Sequence, residues 1–341
     1  MLRRIRTWDR LAPMPGYFSY AEQSAHYFRR PHVRTADRPV GGAAAWRHAD
    51  VADPSLWRHA LGHDEAAELA RATERALATG RPPGEWSAAD FALPTLERAV
   101  EGWRRELDAG RGFQLVSGVP VEGWSEEEAG ACFWGLGLHL GRPGAQNPQG
   151  DLLGHVRDTG EDATDPFVRL YRTRAEIAYH CDAADVVGLL CLAAASEGGA
   201  SRIASSVAVH DEILRQRPEL VARLYQPFAL DVRNEDRSGA LRHIPVPPCR
   251  FDGERLRTFY HSDYFRSATR HDDVPELSPD ERELLDLFEA IAADPAFRLD
   301  MQLAPGDVQW LSNHSIVHAR TAYSDAGADA ERHLLRLWLS L

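Results

Sequence analysis

His180 and Asp182 stand one residue apart in the run EIAYHCDAADVVGLLCL. On an extended strand, residues i and i+2 point to the same face, so an imidazole and a carboxylate at this spacing can grip one metal ion. A His from a neighbouring strand would complete a face of two His and one carboxylate. The opposite positions stay open to substrates, which is the arrangement suited to non-heme Fe(II) and O2 chemistry. The pattern is common by itself. With 15 His and 51 acidic residues, roughly two His-x-Asp/Glu pairs arise at random, and this chain has six, beginning at His48, His63, His180, His210, His261 and His271. His48 and His63 precede the strand-rich region, His210 starts a helical run and His271 lies in a charged loop, so these four read as surface histidines. His261-Ser-Asp263 follows the aromatic run RTFYH and is a rival. His180-Cys-Asp182 has strand-like sequence on both sides and is preferred.

The third ligand is sought in Asn313-His-Ser-Ile-Val-His318-Ala-Arg-Thr-Ala-Tyr323, which a turn-rich run to Asp329 connects to Arg332-His-Leu-Leu-Arg336-Leu-Trp-Leu. Read as a hairpin folding back near 325–327, this segment sets His318 opposite 332–336. His318, within the strand, is preferred over His314 in the turn before it. Arg332 and Arg336 are four apart and share one face of a strand. Two inward guanidiniums require anionic partners, because unpaired buried charge is costly. Metal-bound 2-oxoglutarate would supply one, since Arg meets a carboxylate through two parallel hydrogen bonds. Gly198-Gly199-Ala200-Ser201 places a hydroxyl after a tight turn, where it can share that carboxylate with Arg332.

The elements that must hold these residues fall into two regions. Over 1–110 the chain is loop-rich and helical, with helices expected at 64–79 and 95–109, each closed by a glycine. A strand follows at 112–119. Ser125 and Glu128 form a capping-box pattern that opens a helix to about 138. Gly135-Leu-Gly-Leu-His-Leu-Gly141 neither follows a strand nor opens a helix, so it reads as a helix end rather than a dinucleotide loop. From about 152, short strand candidates crowd together: FVRLY, EIAYH, VVGLLCLAAA, SRIASSVAV, RTFYH, VQWLS, SIVHARTAY and HLLRLWLSL. Helices at 208–225 and 279–293 interrupt them, the latter with Ser278 as N-cap and Pro279 at its first position. Many short strands in one block point to a jelly roll or barrel rather than alternating βαβ units. The expectation is one domain over 1–341, mainly β with helical elaborations: a helical N-terminal part (1–110) and a jelly-roll core with helical insertions (111–341).

Composition narrows the chemistry further. The 341 residues carry a net charge of −12, and all 39 basic residues are Arg. Without Lys there is no Walker-type phosphate loop, no pyridoxal-phosphate Schiff base and no kinase lysine. The acidic balance argues against nucleic acid and anionic membrane as partners. No apolar run reaches the ~18 residues of a membrane span. The basic start Met1-Leu-Arg-Arg-Ile-Arg6 lacks a signal core. The four cysteines, Cys132, Cys181, Cys191 and Cys249, show no paired metal spacing, which suits a reducing cytoplasm. A small molecule is the expected partner, and a homo-oligomer is compatible with the sequence.

The motifs YHCD (179–182), EGGAS (197–201), APGDVQWLSNHSIVHART (304–321) and RHLLRLWL (332–339) resemble the TauD/TfdA family of Fe(II)/2-oxoglutarate-dependent oxygenases. GRGFQLVSGVP and PGAQNPQGDLLGHV extend the similarity over about 95–341. The resemblance implies a double-stranded β-helix (jelly-roll, clavaminate-synthase-like) core. It implies that His180, Asp182 and His318 ligate Fe(II), and that Arg332, with Ser201 where the family often has Thr, binds the distal carboxylate of 2-oxoglutarate. Arg336 falls where relatives direct a second Arg at an anionic group of the substrate. Cys181 replaces a common Thr or Ser and should point away from the metal. Gln146 and Asn147 are expected in the substrate pocket wall. The reaction implied is oxidation, by default hydroxylation, of an unactivated C–H in a small carboxylate-bearing metabolite, with O2 consumed and succinate and CO2 released. Halogenation is disfavoured because Asp182 occupies the position that halogenases leave small. The contrasting readings are a catalytically silent jelly-roll protein that binds a metal or ligand, and, more remotely, a zinc hydrolase, since the same ligands suit zinc.

Overall fold

Strands such as Val186–Ala193 (VVGLLCLA) and His333–Ser340 (HLLRLWLS) are apolar on both faces, and successive side chains point to opposite faces, so each face must find a separate partner. A computed structural model describes residues 16–165, 167–233, 241–327 and 331–341; the basic segment Met1–Arg6 lies outside them. Two sheets face each other in a jelly roll. The larger runs in the order Arg58–Ala60, Phe113–Ser117, Val308–Ser312, Val186–Ala193, His333–Ser340 and Arg142–Gly144, with Leu153–Val156 also paired to His333–Ser340. The smaller runs Arg298–Met301, Ser201–Ser205, Ile316–Arg320 and Ile177–His180. Pairing is antiparallel except where Arg58–Ala60 joins Phe113–Ser117 in parallel.

Three apolar clusters follow from the alternation. Between the sheets lie Phe113, Val187, Ile203, Leu311, Ile316, Leu334 and Trp338, joined by Trp46, Val51 and Trp57 from the N-terminal part. Behind the larger sheet, Leu190, Trp310, Leu335 and Leu337 pack on the helices His63–Ala78, Glu97–Ala109 and Glu126–Leu140. Behind the smaller sheet, Ala204, Val317 and Ala319 pack on the helices Ser206–Gln216 and Pro279–Ala293. Burying one such large apolar side chain contributes about 1.5–3 kcal/mol, so all three interfaces stabilise the fold. None of the described helices is long and apolar enough to cross a membrane.

The expected helices at 64–79, 95–109, 126–138 and 279–293 are present, and the Ser125–Glu128 and Ser278–Glu281 capping boxes both form. Gly141 does end its helix, while Gly135 and Gly137 lie within it. A Cβ on Gly137 would stand 2.4 Å from Leu337 Cδ2, so glycine here lets the helix settle on the larger sheet. Other expectations are corrected. In place of the strand FVRLY there is a 3-10 turn at Leu170–Arg172. SRIASSVAV splits: the strand ends at Ser205, whose hydroxyl accepts from Ala208 N and starts a helix. The hairpin between the His318 and Arg332 segments does not form as a strand pair. Ile316–Arg320 pairs in the smaller sheet with Ser201–Ser205 and Ile177–His180, whereas His333–Ser340 pairs in the larger sheet with Val186–Ala193.

Candidate active site

Inward-facing positions of the smaller sheet carry Ser201, His180, His318 and Arg320, two residues apart wherever they share a strand. His318 lies directly opposite His180 in the antiparallel register, and their rings are 4.2 Å apart between centroids. Asp182 follows the end of its strand, where Asn313 holds the turn. Asp182 N donates to Asn313 Oδ1 (3.0 Å) and Asn313 Nδ2 donates to Ala184 O (3.0 Å). One ligand-type atom each from His180, Asp182 and His318 lies within 4.8 Å of the other two.

The electrostatics of this group suit a divalent cation. His180 Nδ1 is 2.9 Å from Ala178 O; donation there leaves Nε2 with its lone pair. Burial first, then His180, lowers His318 to about 3, so its ring is neutral despite Asp182. Burial raises the proton affinity of Asp182, but Arg336, His318 and His180 outweigh it and the carboxyl stays below its ordinary range. Asp182 Oδ2 is buried without a hydrogen-bond partner. It stands 3.9 Å from His318 Nε2, too far for a hydrogen bond. A single ion with bonds of about 2.0–2.2 Å spans that gap.

Arg336 reaches the same point from the opposite sheet. Its Nη1 is 3.6 Å from Asp182 Oδ1, its Nε donates to Gln146 Oε1 (2.7 Å), and its guanidinium lies over the rings of Tyr171 and Trp338. Gln146 is therefore brought to the site. Asn147 is not: its side chain bonds Asp151 and the backbone of its own loop. Cys181 points the other way, into the cluster behind the smaller sheet, where burial pushes its thiol up. The four cysteines are all free and buried.

A cationic recess adjoins the metal-ligand group. Arg332 and Arg320 are 5% and 6% exposed, yet neither forms an ion pair among the described residues. Arg332 Nη1 and Arg320 Nε and Nη1 have no hydrogen-bond partner, and the two guanidiniums flank the Tyr323 ring at 5.0 and 4.9 Å. Burial lowers both, Arg320 to about 10 with Arg332 contributing. Ser201 Oγ donates to Gln309 Oε1 (2.8 Å) on the same inner face. Gly199 has φ +68°, and a Cβ there would stand 2.8 Å from Arg332 Nε. Gly199→Ala is therefore expected to destabilise the fold by about 1–3 kcal/mol and to displace Arg332. Thermal denaturation beside a co-substrate titration checks this; unchanged values in both would refute the placement.

The rival histidines are elsewhere engaged. His314 Nε2 is 3.0 Å from Asp185 Oδ1, and its ring stacks on Tyr27. His261 packs beside His180 at 5.2 Å and stacks on Tyr264, but Asp263 belongs to the following helix. His48 and His63 are exposed, as expected. His210 is not: it is fully buried, bonded to Asp211 and Tyr225. His271 is half-buried against Asp231. Sequence reading passed over Asn313, Gln309 and Arg320. For Arg320 a signal existed, since it is two residues beyond His318 and must share its inward face.

Known proteins are similar to this chain in sequence and in fold. The model of the taurine catabolism dioxygenase TauD, TfdA family matches residues 75–338. FR-33289 synthase of Streptomyces rubellomurinus is 34% identical, covering 91% of this chain and 92% of its own. The taurine hydroxylase-like protein SAT17 of Stachybotrys chartarum is 27% identical over 81% of this chain and 73% of its own. Asparagine oxygenase, solved with Fe(II), 2S,3S-3-hydroxyasparagine and succinate, superposes with a TM-score of 0.67 at 20% identity, covering 83% of this chain and 93% of that one. The non-heme iron oxygenase OrfP, solved with Fe and alpha-ketoglutaric acid, gives 0.63 at 15% identity and covers 83% and 93%. The chain belongs to the TauD/TfdA family of Fe(II)/2-oxoglutarate-dependent dioxygenases.

Proposed function

We propose that this enzyme oxidises an unactivated C–H bond of a small carboxylate-bearing molecule, most simply by hydroxylation, with succinate and CO2 as co-products. The observation that carries the reading is the convergence of two histidines and a buried carboxylate oxygen without a hydrogen-bond partner beside two buried guanidiniums without anionic partners. His180, Asp182 and His318 would hold iron. Bound iron and 2-oxoglutarate supply the oxidising power.

The chain's own residues bind and orient. Arg332 offers its free Nη1 to the distal carboxylate of 2-oxoglutarate, and Ser201 turns its hydroxyl from Gln309 to the same group. Arg320 adds positive potential from behind Tyr323. Arg336, held by Gln146 and backed by Tyr171 and Trp338, presents a cation to an anionic group of the substrate next to the metal ligands. An amino-acid-like substrate agrees with the molecules bound in two structural neighbours, 2S,3S-3-hydroxyasparagine in asparagine oxygenase and (3S)-hydroxy-L-Arg in OrfP.

Anaerobic addition of Fe(II) and 2-oxoglutarate to the chelator-treated protein tests the first half of the reading. A weak visible charge-transfer band is expected, and it should appear with neither component alone. Absence of the band in folded protein would overturn the assignment. Succinate release across a panel of amino and carboxylic acids then identifies the substrate.

A further inference from the structure

We propose that Glu126, His155 and His333 form a second divalent-metal site, separate from the group at His180. Among the described residues, only these two groups bring at least three His, Cys, Asp or Glu ligand atoms within 4.8 Å of one another. The second group draws on three elements. Glu126 is the first residue of the helix Glu126–Leu140, His155 lies on the strand Leu153–Val156, and His333 opens the strand His333–Ser340. Strand pairing sets His155 opposite Leu335, whose side chain packs behind the larger sheet. The site therefore sits on the back of the sheet that carries Arg336 on its front.

The spacing favours an ion of the zinc class. His155 Nδ1 and His333 Nε2 are 2.9 Å apart, and Glu126 Oε1 is 3.6 Å from His333 Nδ1. Ligand atoms around a four-coordinate zinc stand roughly 3.3 Å apart, given bonds of about 2.0–2.1 Å. These two contacts use opposite nitrogens of His333, so ligation requires its ring to reorient until one nitrogen shares a point with His155 and Glu126; one such set of three atoms already lies within 4.8 Å. Imidazole with carboxylate suits zinc and its borderline neighbours better than magnesium or calcium. One competitor is present: Arg157 Nη1 lies 3.6 Å from Glu126 Oε1 and must yield that oxygen to the ion.

The site also has a mechanical consequence. The register of the larger sheet shifts between His333 and Leu334, next to Arg332. An ion on His333 would tie this irregular strand start to the neighbouring strand and to the helix. That consequence rests on the role proposed for Arg332; metal uptake does not.

The test uses the full chain carrying His180→Ala and Asp182→Ala, which disables the first group. After chelator treatment it is dialysed against micromolar Zn2+ and analysed for metal. About one Zn2+ per chain is expected to remain. Adding His155→Gln or, separately, Glu126→Gln should weaken retention by at least the ~10-fold that even outer-shell changes cost. His48→Gln, at an exposed histidine, should change nothing. Circular dichroism confirms that each variant is folded. Failure of the double variant to retain zinc, or equal retention after His155→Gln, would overturn the proposal and leave a pair of imidazoles that share a hydrogen bond. Neither result bears on the charge-transfer band of the unmodified enzyme.

Discussion

Asp182→Ala is expected to abolish iron binding at the first site and to lower turnover by roughly a thousandfold or more, about 4 kcal/mol in transition-state stabilisation. The carboxylate is the one anionic ligand in the group, and two neutral imidazoles hold a divalent ion far less well. The anaerobic band with Fe(II) and 2-oxoglutarate should vanish with activity. The variant also leaves Arg336 without its neighbouring charge, so Gln146 and the Tyr171 and Trp338 rings fix that guanidinium. Asp182→Glu is the informative companion: it keeps the charge and moves the oxygen by one methylene. Partial recovery of the band and of turnover is expected. A fully active Asp182→Ala variant would dispose of the metal assignment.

Arg332→Ala should act differently. The KM for 2-oxoglutarate is expected to rise by roughly a hundredfold, about 3 kcal/mol, as when one partner of a buried hydrogen-bonded charge pair is truncated. Iron uptake should remain. Arg332→Lys keeps a charge but loses the planar fork, and an intermediate KM is expected. The recess holds two guanidiniums with unpaired N–H groups, so the wild type should gain thermal stability on adding 2-oxoglutarate, by ligand linkage. Arg332→Ala should lose that gain while losing little stability without ligand, because the guanidinium it removes has no ion-pair partner and only a long contact with Gly199 O and the Tyr323 ring. An unchanged KM would show that Arg332 is not the carboxylate's partner.

Much of the site was legible because its information is local. The His180–Asp182 spacing, the strand-like flanks and the alternation through Ile316–Arg320 each predict which side chains share a face. Helix caps at Ser125 and Ser278 are equally local, since each satisfies backbone amides within three residues. What misled was also local. FVRLY has the composition of a strand, yet its Leu170 carbonyl accepts from Thr173 N in a 3-10 turn and, at 3.5 Å, from Arg320 Nη2. SVAV after Ser205 is β-branched, yet a single hydroxyl on Ala208 N starts a helix there. His210 was misplaced at the surface because a helix start reveals nothing about which face is buried.

Sequence alone thus determined the kinds of group this protein offers: a His-x-Asp pair, a later His, two Arg four apart, and no Lys. Each follows from residue identity and the two-residue period of a strand. Only the tertiary structure decided which sheet each strand enters. Two strands joined by a short turn look like a hairpin, but Ile316–Arg320 and His333–Ser340 each have an inward and an outward face already matched to other neighbours. The chain therefore crosses the sandwich between them, and Arg336 meets Asp182 through the core instead of across a ladder. Partner choice between strands of the same pattern is a long-range decision made by the packing of whole faces, and no short run of sequence contains it.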